Sequence, residues 1–183
     1  AFGSCVLLDR VDIADITAWC GVNFKAGGNP MENASYLESG QKVYVDGVLT
    51  TEVVIDDSVS SIKDNAFYGF KNMTKVVLSK RVEYIGAQSF ACSGITEVVI
   101  PDRCRTIAYN AFSTCEHLSH VTIGSSVTEI QSWAFSYNPY LTEVYCKPLV
   151  PPTMGWEVFL KSSNLAKIYV PREVVDAYMF ADG

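Results

Sequence analysis

The stretch "SIKDNAFYGFKNMTKVVLSKRVEYIGAQSF", residues 61–90, contains one short pattern twice. Ile62 precedes Phe67 by five residues, and Ile85 precedes Phe90 by five residues. Such an echo arises by chance, from a binding motif, or from the period of a repeating architecture. The three explanations can be distinguished by how far the pattern extends along the chain.

The pattern continues well beyond this stretch. "IAYNAF" ends at Phe112, "IQSWAF" ends at Phe135, and the looser copy "MGWEVF" ends at Phe159. From Phe67 onward, successive aromatic residues are 23, 22, 23 and 24 residues apart. A repeat of this length forms a coil that cannot bury its own apolar face and has to stack on its neighbours. The echo is therefore the period of a solenoid.

Each copy also carries a second motif after the aromatic residue: "MTKVVL", "ITEVVI", "LSHVTI", "LTEVYC" and "LAKIYV". The first, fourth and sixth positions are apolar, and β-branched residues are frequent, which favours a short strand. One strand per coil, always in the same direction, predicts a parallel sheet with strands about 4.8 Å apart. The segment from Ile to Phe is predicted as a helical turn or short helix whose Ile and Phe point inward.

The repeated pattern I-x-x-x-A-F followed by L-x-x-V-x-I-P resembles the BspA-type leucine-rich repeats of bacterial surface proteins. Further stretches fit that family: "WCGVNF", "GGNPMENASYL", "VYVDGVLTTEVVI" and "VPPTMGWEVF…KIYVPREVVDAY". The resemblance covers essentially the whole chain and implies an α/β or β-rich, right-handed leucine-rich-repeat solenoid with coils of 22–24 residues. Departures from the pattern are Ser89 in place of Ala, and "PD" or "GS" in place of a regular Pro after the strand.

We predict one solenoid over residues 1–183, with about seven coils. The aromatic positions Phe2 and Phe24 extend the repeat toward the N-terminus, but 43 residues separate Phe24 from Phe67. This interval, residues 25–52, is predicted as an inserted loop and a hairpin that turns at Asp46-Gly47 without breaking the stack. Residues 147–183 are predicted as a C-terminal cap, since their prolines stop strand growth and their last part resembles a short amphipathic helix.

Composition argues against several classes of protein. The formal net charge of −6 disfavours nucleic-acid binding, which needs clustered Lys and Arg. There is no run of about 18 apolar residues, so no membrane insertion is expected from this segment. The opening "AFGSCVLLDR" does not resemble a signal peptide and looks like the middle of a structural unit. The resemblance nevertheless implies an extracellular or cell-surface protein.

Four of the six cysteines occupy predicted core positions of the repeat. Cys104 and Cys146 fall where other copies have Val, Leu or Ile, and Cys5 and Cys115 fall three residues after a Phe. A free cysteine behaves as a small apolar residue, so we expect buried thiols in preference to a disulfide framework. Cys92 and Cys115 lie on adjacent coils, and a bridge between them is left open as the less favoured alternative.

No catalytic or metal-binding constellation stands out. His117 and His120 form an H-x-x-H pattern, but the strand alternation points His120 outward and places His117 in the preceding loop, so no metal site is expected. The sequence has no G-x-S-x-G motif, no glycine-rich phosphate loop and no C-x-x-C pair. We therefore expect no enzyme, no cofactor and no catalytic residue.

The outward-facing positions of the predicted strands form two ladders, and these supply the candidate binding residues. A charged ladder flanks an apolar and aromatic one, and exposed apolar stripes with tyrosines are typical of contact surfaces. The ladders start at Glu52 and Val54, and the residues assigned to binding are Lys75, Val77, Glu97, Val99, His120, Thr122, Glu143, Tyr145, Lys167 and Tyr169.

The favoured function is a non-catalytic interaction or adhesion module of a bacterial cell-surface or secreted protein. The resemblance implies a host or bacterial surface protein as the partner. Carbohydrate binding through the same tyrosines is an alternative. A structural spacer that displays another domain is a further one.

Overall fold

The computed structural model describes residues 10–25, 28–30 and 42–181. Within these residues the chain winds into stacked coils that contribute strands to parallel sheets. The strands are β1 Arg10–Ile13, β2 Lys42–Val45, β3 Val48–Leu49, β4 Glu52–Val54, β5 Ser61–Ile62, β6 Lys75–Val77, β7 Tyr84–Ile85, β8 Glu97–Val99, β9 Thr106–Ile107, β10 His120–Ile123, β11 Glu129–Ile130, β12 Glu143–Cys146, β13 Thr153–Met154 and β14 Lys167–Tyr169. The helices are α1 Ile16–Cys20, a 3-10 turn Arg172–Val174 and α2 Val175–Met179.

The predicted parallel sheet is confirmed as a six-stranded sheet of order β14-β12-β10-β8-β6-β4. Its register places the same repeat position of each coil side by side, for example Val121 beside Val98 and Val144. The side chains alternate as a half-buried strand requires: Val53 is buried, whereas Glu52 and Val54 on either side are exposed.

The described residues contain fewer complete coils than the seven predicted. Five coils contribute a strand to both parallel sheets, starting with β4 and β5 and ending with β12 and β13, and β14 follows them. Of the other two predicted coils, one starts at Ala1, outside the described residues. In the other, helix α1 stands where later coils have their second strand.

The segment from Ile to Phe differs from the predicted helical turn. Its first residues form a second parallel sheet, of order β13-β11-β9-β7-β5, with strands of two residues each. Sequence patterns do not resolve strands this short, because two residues show no alternation. The inward direction of the Ile and Phe side chains is confirmed, since Ile85 and Phe90 are fully buried.

A third set of hydrogen bonds joins the coils after this second sheet. The N–H groups of Asn65, Phe67 and Gly69 donate to carbonyls at residues 87, 89 and 91 of the next coil. Asn65 and Gly69 adopt positive φ angles of 58° and 75°. Every second N–H of this stretch points toward the neighbouring coil, with a positive-φ residue at each end, and the later coils repeat the arrangement.

The core is a continuous column of phenylalanine rings. Phe67, Phe90, Phe112, Phe135 and Phe159 stack in succession at centroid distances of 5.2, 5.1, 5.3 and 5.8 Å, with interplanar angles of 14° or less. One apolar cluster of buried residues surrounds the column and extends from Val11 to Val158 of the described residues. The rings are the recurrent aromatic positions of the sequence, so the solenoid interpretation is confirmed.

Buried polar side chains stand three residues after Phe135 and Phe159. Asn138 donates from its amide to the carbonyls of Phe112 and Phe135 at 3.0 and 2.9 Å, and accepts from the backbone N–H of Cys115 at 2.8 Å. Ser162 repeats the contact one coil later by donating to Phe135 O. These side chains satisfy backbone groups that the turns leave unpaired inside the stack.

The interval before Phe67 contains the predicted hairpin. Strands β2 and β3 pair antiparallel around Asp46 and Gly47, both with positive φ. Strand β2 also pairs parallel with β1, so β1, β2 and β3 form a separate three-stranded sheet. The hairpin thus divides the sheet, whereas the apolar cluster continues across it. The predicted boundaries 25–52 include residues 26–27 and 31–41, which lie outside the described residues.

Residues 147–183, the predicted cap, contribute β13 and β14 before the terminal turn and helix. Tyr178 of α2 donates a hydrogen bond to the carbonyl of Pro148 at 2.9 Å, which fixes the helix near the end of the core. Ile168 of the edge strand β14 remains 53 % exposed. The cap as a separate unit stays a prediction.

The described cysteines are free thiols. Cys20, Cys104 and Cys115 are buried, and burial raises the pKa of each to about 12. Cys92 and Cys115 are not bridged; the thiol of Cys92 donates to the hydroxyl of Tyr68. Protonated thiols at neutral pH are poor nucleophiles, which agrees with a structural role. Cys5 lies outside the described residues.

Phe112→Ala is expected to lower the free energy of unfolding by about 3–5 kcal/mol, because it removes a buried ring from the middle of the column. Urea unfolding followed by circular dichroism measures the change. Leu149→Ala, at an exposed position, is the matched control and should change stability by less than about 0.5 kcal/mol. Equal effects of the two substitutions would contradict the column as the core.

Ser89→Ala is expected to raise the free energy of unfolding by about 1–2 kcal/mol, since the buried Ser89 hydroxyl has no hydrogen-bond partner among the described residues. Ala66, Ala111 and Ala134 occupy the equivalent position of other coils. The control is Ser136→Ala, whose hydroxyl donates to Trp133 O at 3.0 Å and whose loss should destabilise the chain. Thermal unfolding of both variants checks the sign, and a destabilised Ser89→Ala variant would refute the explanation.

Candidate functional site

The outer face of the six-stranded sheet carries the apolar ladder that the sequence predicts. Val54, Val77 and Val99 are 59, 41 and 58 % exposed, although each sits in a strand whose neighbouring valine is buried. Thr122 and Tyr145 continue the same row on β10 and β12, in direct register. The structure therefore brings the predicted apolar positions together on one exposed row.

The charged ladder lies beside this row, with each member in register with the next. Lys75 pairs with Glu52 at 2.8 Å, and Glu97 lies between Lys75 and His120. Hydrogen bonding to Glu52 raises the pKa of Lys75. Exposed ion pairs of this kind contribute little to stability, but they fix the positions of charges along the face.

Glu143 is the centre of a polar network at the β12 end of the face. It accepts from the Tyr145 hydroxyl at 2.8 Å, from Lys167 at 3.1 Å and from the Tyr169 hydroxyl at 3.4 Å. His120 Nε2 lies 3.8 Å from the same carboxylate. The hydrogen bonds from Tyr145 and Lys167 lower the pKa of Glu143, and the bond to Glu143 raises the pKa of Tyr145 to about 12.

Tyr145 and Tyr169 stack on each other, with centroids 4.4 Å apart and an interplanar angle of 8°. Each side chain remains about two-fifths exposed, at 39 and 40 %. The facing sides of the two rings cover each other, so the pair presents ring edges, hydroxyls and one outer face. Such a pair suits packing against a protein surface more than a sugar ring inserted between the tyrosines.

Two open depressions follow the apolar row. One, of about 610 Å³, is lined by Val77, Val99 and the loop residues Lys80 and Arg103. The other, of about 580 Å³, is lined by further residues of the row and its rim, among them Thr122, Tyr145, Leu149, Tyr169 and Pro171. Lys147 lines both depressions. We call the row with its two depressions the sheet-face groove.

The rim of the sheet-face groove was missed in the sequence. Lys80, Arg103, Lys147 and Leu149 follow strands β6, β8 and β12, and the carboxyl ends of parallel strands meet at one edge. Asp102 belongs to this rim and accepts from Ser125 N at 3.1 Å and from Lys147 at 3.4 Å. The signal for this rim in the sequence was that the residues after the strands differ between coils, as in "PD", "GS" and "KP". The same residue in every coil would indicate a purely structural turn.

The two histidines contact different residues. His120 Nδ1 lies 2.8 Å from the Ser119 hydroxyl, whereas the His117 ring packs near Tyr140 at 6.5 Å. Within residues 10–25, 28–30 and 42–181, no three His, Cys, Asp or Glu side chains gather as a metal site would require. Over the same ranges, no helix has the length and apolar character needed to cross a membrane.

The Glu143 network gives a testable pH dependence. A lowered pKa keeps the carboxylate ionised, and the network intact, below the usual range of a glutamate; the network is lost as pH falls through the folded-state pKa. Tyr145→Phe removes the first cause of the lowering, so the Glu143 carboxyl should titrate closer to its usual range. Carbon-detected NMR titration of the carboxyl measures this.

Tyr169→Phe is the matched control for this titration, because its hydroxyl lies farther from the carboxylate at 3.4 Å. It should move the midpoint less than Tyr145→Phe does. Identical midpoints in the wild type and Tyr145→Phe would contradict the hydrogen bond as the dominant cause.

Comparison with known proteins agrees with this architecture. The family model of the BspA type leucine rich repeat region matches residues 40–151 in six copies. Solved structures with the same fold include a leucine rich cell surface protein from Faecalibacterium prausnitzii A2-165, with a TM-score of 0.63 and 20 % identity over 74 % of this chain. A leucine-rich repeat protein from Bacteroides ovatus ATCC 8483 has a TM-score of 0.62 and 19 % identity over 93 % of this chain.

The chain spans 36 % and 39 % of the length of these two structures, respectively. A search of curated proteins gives no significant match. The family model, however, covers more than half of the chain, in register with the coils that carry the sheet-face groove. The protein therefore belongs to the BspA-type leucine-rich-repeat family.

Proposed function

We propose that this chain is a non-catalytic interaction module that binds a macromolecule, foremost a protein, in the sheet-face groove. The observation that carries the proposal is the exposed apolar row of Val54, Val77 and Val99, continued by Tyr145 and Tyr169. Contiguous apolar surface on a soluble chain costs free energy in water, and it is typical of surfaces that a partner covers.

The groove has the composition of a protein interface. An apolar and aromatic floor lies between the charged ladder on one side and the rim residues Lys80, Arg103 and Lys147 on the other. Desolvated aromatic anchors surrounded by polar groups supply most of the affinity in such interfaces. The charges at the edges affect partner choice and association rate more than they affect affinity.

Cysteine chemistry supports a role without catalysis. The buried thiols Cys20, Cys104 and Cys115 are held protonated, with pKa values of about 12, so they do not serve as ready nucleophiles. The Glu143 carboxylate is occupied by two hydroxyls and an ammonium group, and its pKa is lowered, whereas a general base at neutral pH requires a raised one.

The bacterial cell surface is the proposed location. The family and the printed description of the Faecalibacterium structure as a cell surface protein support this assignment. A host or bacterial surface protein is accordingly the proposed partner, and adhesion the proposed consequence of binding.

The test compares a groove variant with a turn variant. Purified chain is passed over immobilised laminin, collagen and fibronectin, and binding is measured by surface plasmon resonance. The groove variant is Val77→Lys with Val99→Lys, which places charge on the apolar row without touching a buried side chain. We expect it to lower affinity for any bound matrix protein by about ten-fold or more.

The matched control is Tyr140→Ala, an exposed turn position outside the sheet-face groove, which should leave this binding unchanged. A second groove variant, Tyr145→Ala with Tyr169→Ala, tests the aromatic end separately. If every protein bound by the wild type is bound equally by both groove variants, the sheet face is a spacer surface and the proposal is wrong.

A further inference from the structure

A second surface lies on the turn segment that follows the second sheet in each coil. Unlike the sheet-face groove, it is built from residues with positive φ at fixed positions of the repeat. Each of the five coils from Phe67 to Phe159 holds two residues with positive φ, one two positions before the phenylalanine of the column and one two positions after it. The first column contains Asn65, Gln88, Asn110, Trp133 and Glu157, and the second contains Gly69, Cys92, Thr114, Tyr137 and Lys161. The phenylalanine between them points inward, and the members of the two columns other than Gly69, which is buried, are exposed or partly exposed.

The bulky members of these columns are held at a conformational cost. Trp133 and Tyr137 adopt φ angles of 58° and 57°, a region that side chains with a Cβ rarely occupy. Gly69 occupies the same position as Tyr137 in an earlier coil, so a residue without strain fits the turn. Where a residue without strain would fit the fold equally well, a strained residue tends to mark a functional site.

Between the two columns lies a trough, with an open cavity of about 370 Å³ across the last three coils. The aromatic rings of Trp133 and Tyr137 contribute to its walls. Its other lining residues are mostly small or polar, namely Asn110, Ser113, Thr114, Ser136, Glu157 and Leu160.

The indole of Trp133 is fixed in place before any ligand arrives. Its Nε1 donates to Glu157 Oε2 at 2.8 Å, and the ring of Tyr109 meets it edge-on at 5.3 Å and 78°. On the other column, the ammonium group of Lys161 lies 5.0 Å from the centre of the Tyr137 ring. A rigid aromatic platform loses little entropy when a ligand packs on it.

Hydrogen-bonding groups in the trough are left available. Within the described residues, the side chains of Asn110, Ser113 and Thr114 make no hydrogen bond, and Glu157 uses only one carboxylate oxygen. Asn65, at the position of Asn110 in an earlier coil, instead donates its amide to Phe24 O at 2.9 Å. The free amide and hydroxyls lie on the coil next to the one that carries the two aromatic rings.

We propose that this trough is a carbohydrate-binding site for a neutral glycan chain running along the solenoid axis. Aromatic faces pack on the apolar faces of sugar rings, while amide, hydroxyl and carboxylate groups bond the sugar hydroxyls. The opposite charges of Glu157 and Lys161 cancel, which disfavours a highly charged glycan. Adjacent coils are about 4.8 Å apart, a spacing close to the length of one sugar unit along a linear chain.

This site is separate from the proposed sheet-face groove in residues and in ligand. The carbohydrate alternative suggested by the sequence used Tyr145 and Tyr169, whereas the trough uses neither. Failure of one proposal therefore leaves the other standing.

The test uses linear neutral hexasaccharides of glucose, xylose, mannose and N-acetylglucosamine with the purified chain. Isothermal titration calorimetry measures affinity, and tryptophan fluorescence reports on the environment of the indoles. We expect the wild type to bind at least one hexasaccharide, and Trp133→Gly with Tyr137→Gly to lower that affinity ten-fold or more. Glycine fits both positive φ positions, so thermal unfolding should show that the variant remains folded.

The matched control is Tyr145→Ala with Tyr169→Ala, which should bind the same hexasaccharide as the wild type does. Asn110→Ala should weaken binding without changing the fluorescence of the free protein. The proposal is overturned if no hexasaccharide binds the wild type, if binding survives the double glycine variant, or if the sheet-face variant is the one that loses it.

Discussion

The structure depends on one constraint: no coil buries its own apolar side chains, so each coil is stable only between two others. A coil of about 23 residues is one layer thick, and its phenylalanine ring stacks on the rings of the coils above and below. The rings consequently form one stack from Phe67 to Phe159 at spacings of 5.1 to 5.8 Å. Every inward position of the repeat contributes to an interior that belongs to the whole stack.

Stacking also has to satisfy the polar backbone between coils. Regular strands solve this on two faces of the coil, through the six-stranded and five-stranded sheets. On the turn segment, every second N–H points toward the next coil, over a stretch with a positive-φ residue at each end. Inside the stack, Asn138 and Ser162 satisfy carbonyls that no strand reaches. Because these hydrogen bonds satisfy the backbone between coils, the residues at outward-facing positions are free to differ from one coil to the next.

That freedom explains how one chain has two surfaces with different chemistry. On the sheet, the period of two places valines and tyrosines in a row beside a charged ladder, which favours a protein partner. On the turn segment, positive φ angles direct Trp133 and Tyr137 outward beside Asn110 and Glu157, which favours a glycan. A surface protein with both would bind a glycosylated target through two separate contacts, and linked contacts raise the overall affinity.

The period, a parallel sheet, the inward phenylalanines and both ladders of the sheet face could be predicted from the sequence, because apolar residues recurring in phase leave few ways to bury them. The sequence did not reveal the second sheet, whose two-residue strands show no alternation, or the left-handed turns, where Trp133 and Thr114 occupy positions that sequence rules assign to glycine. The tertiary structure alone brought Lys80, Arg103 and Lys147 to one rim and opened the trough around Trp133. These groupings join residues from different coils, and only the stacking register fixes which side chains become neighbours.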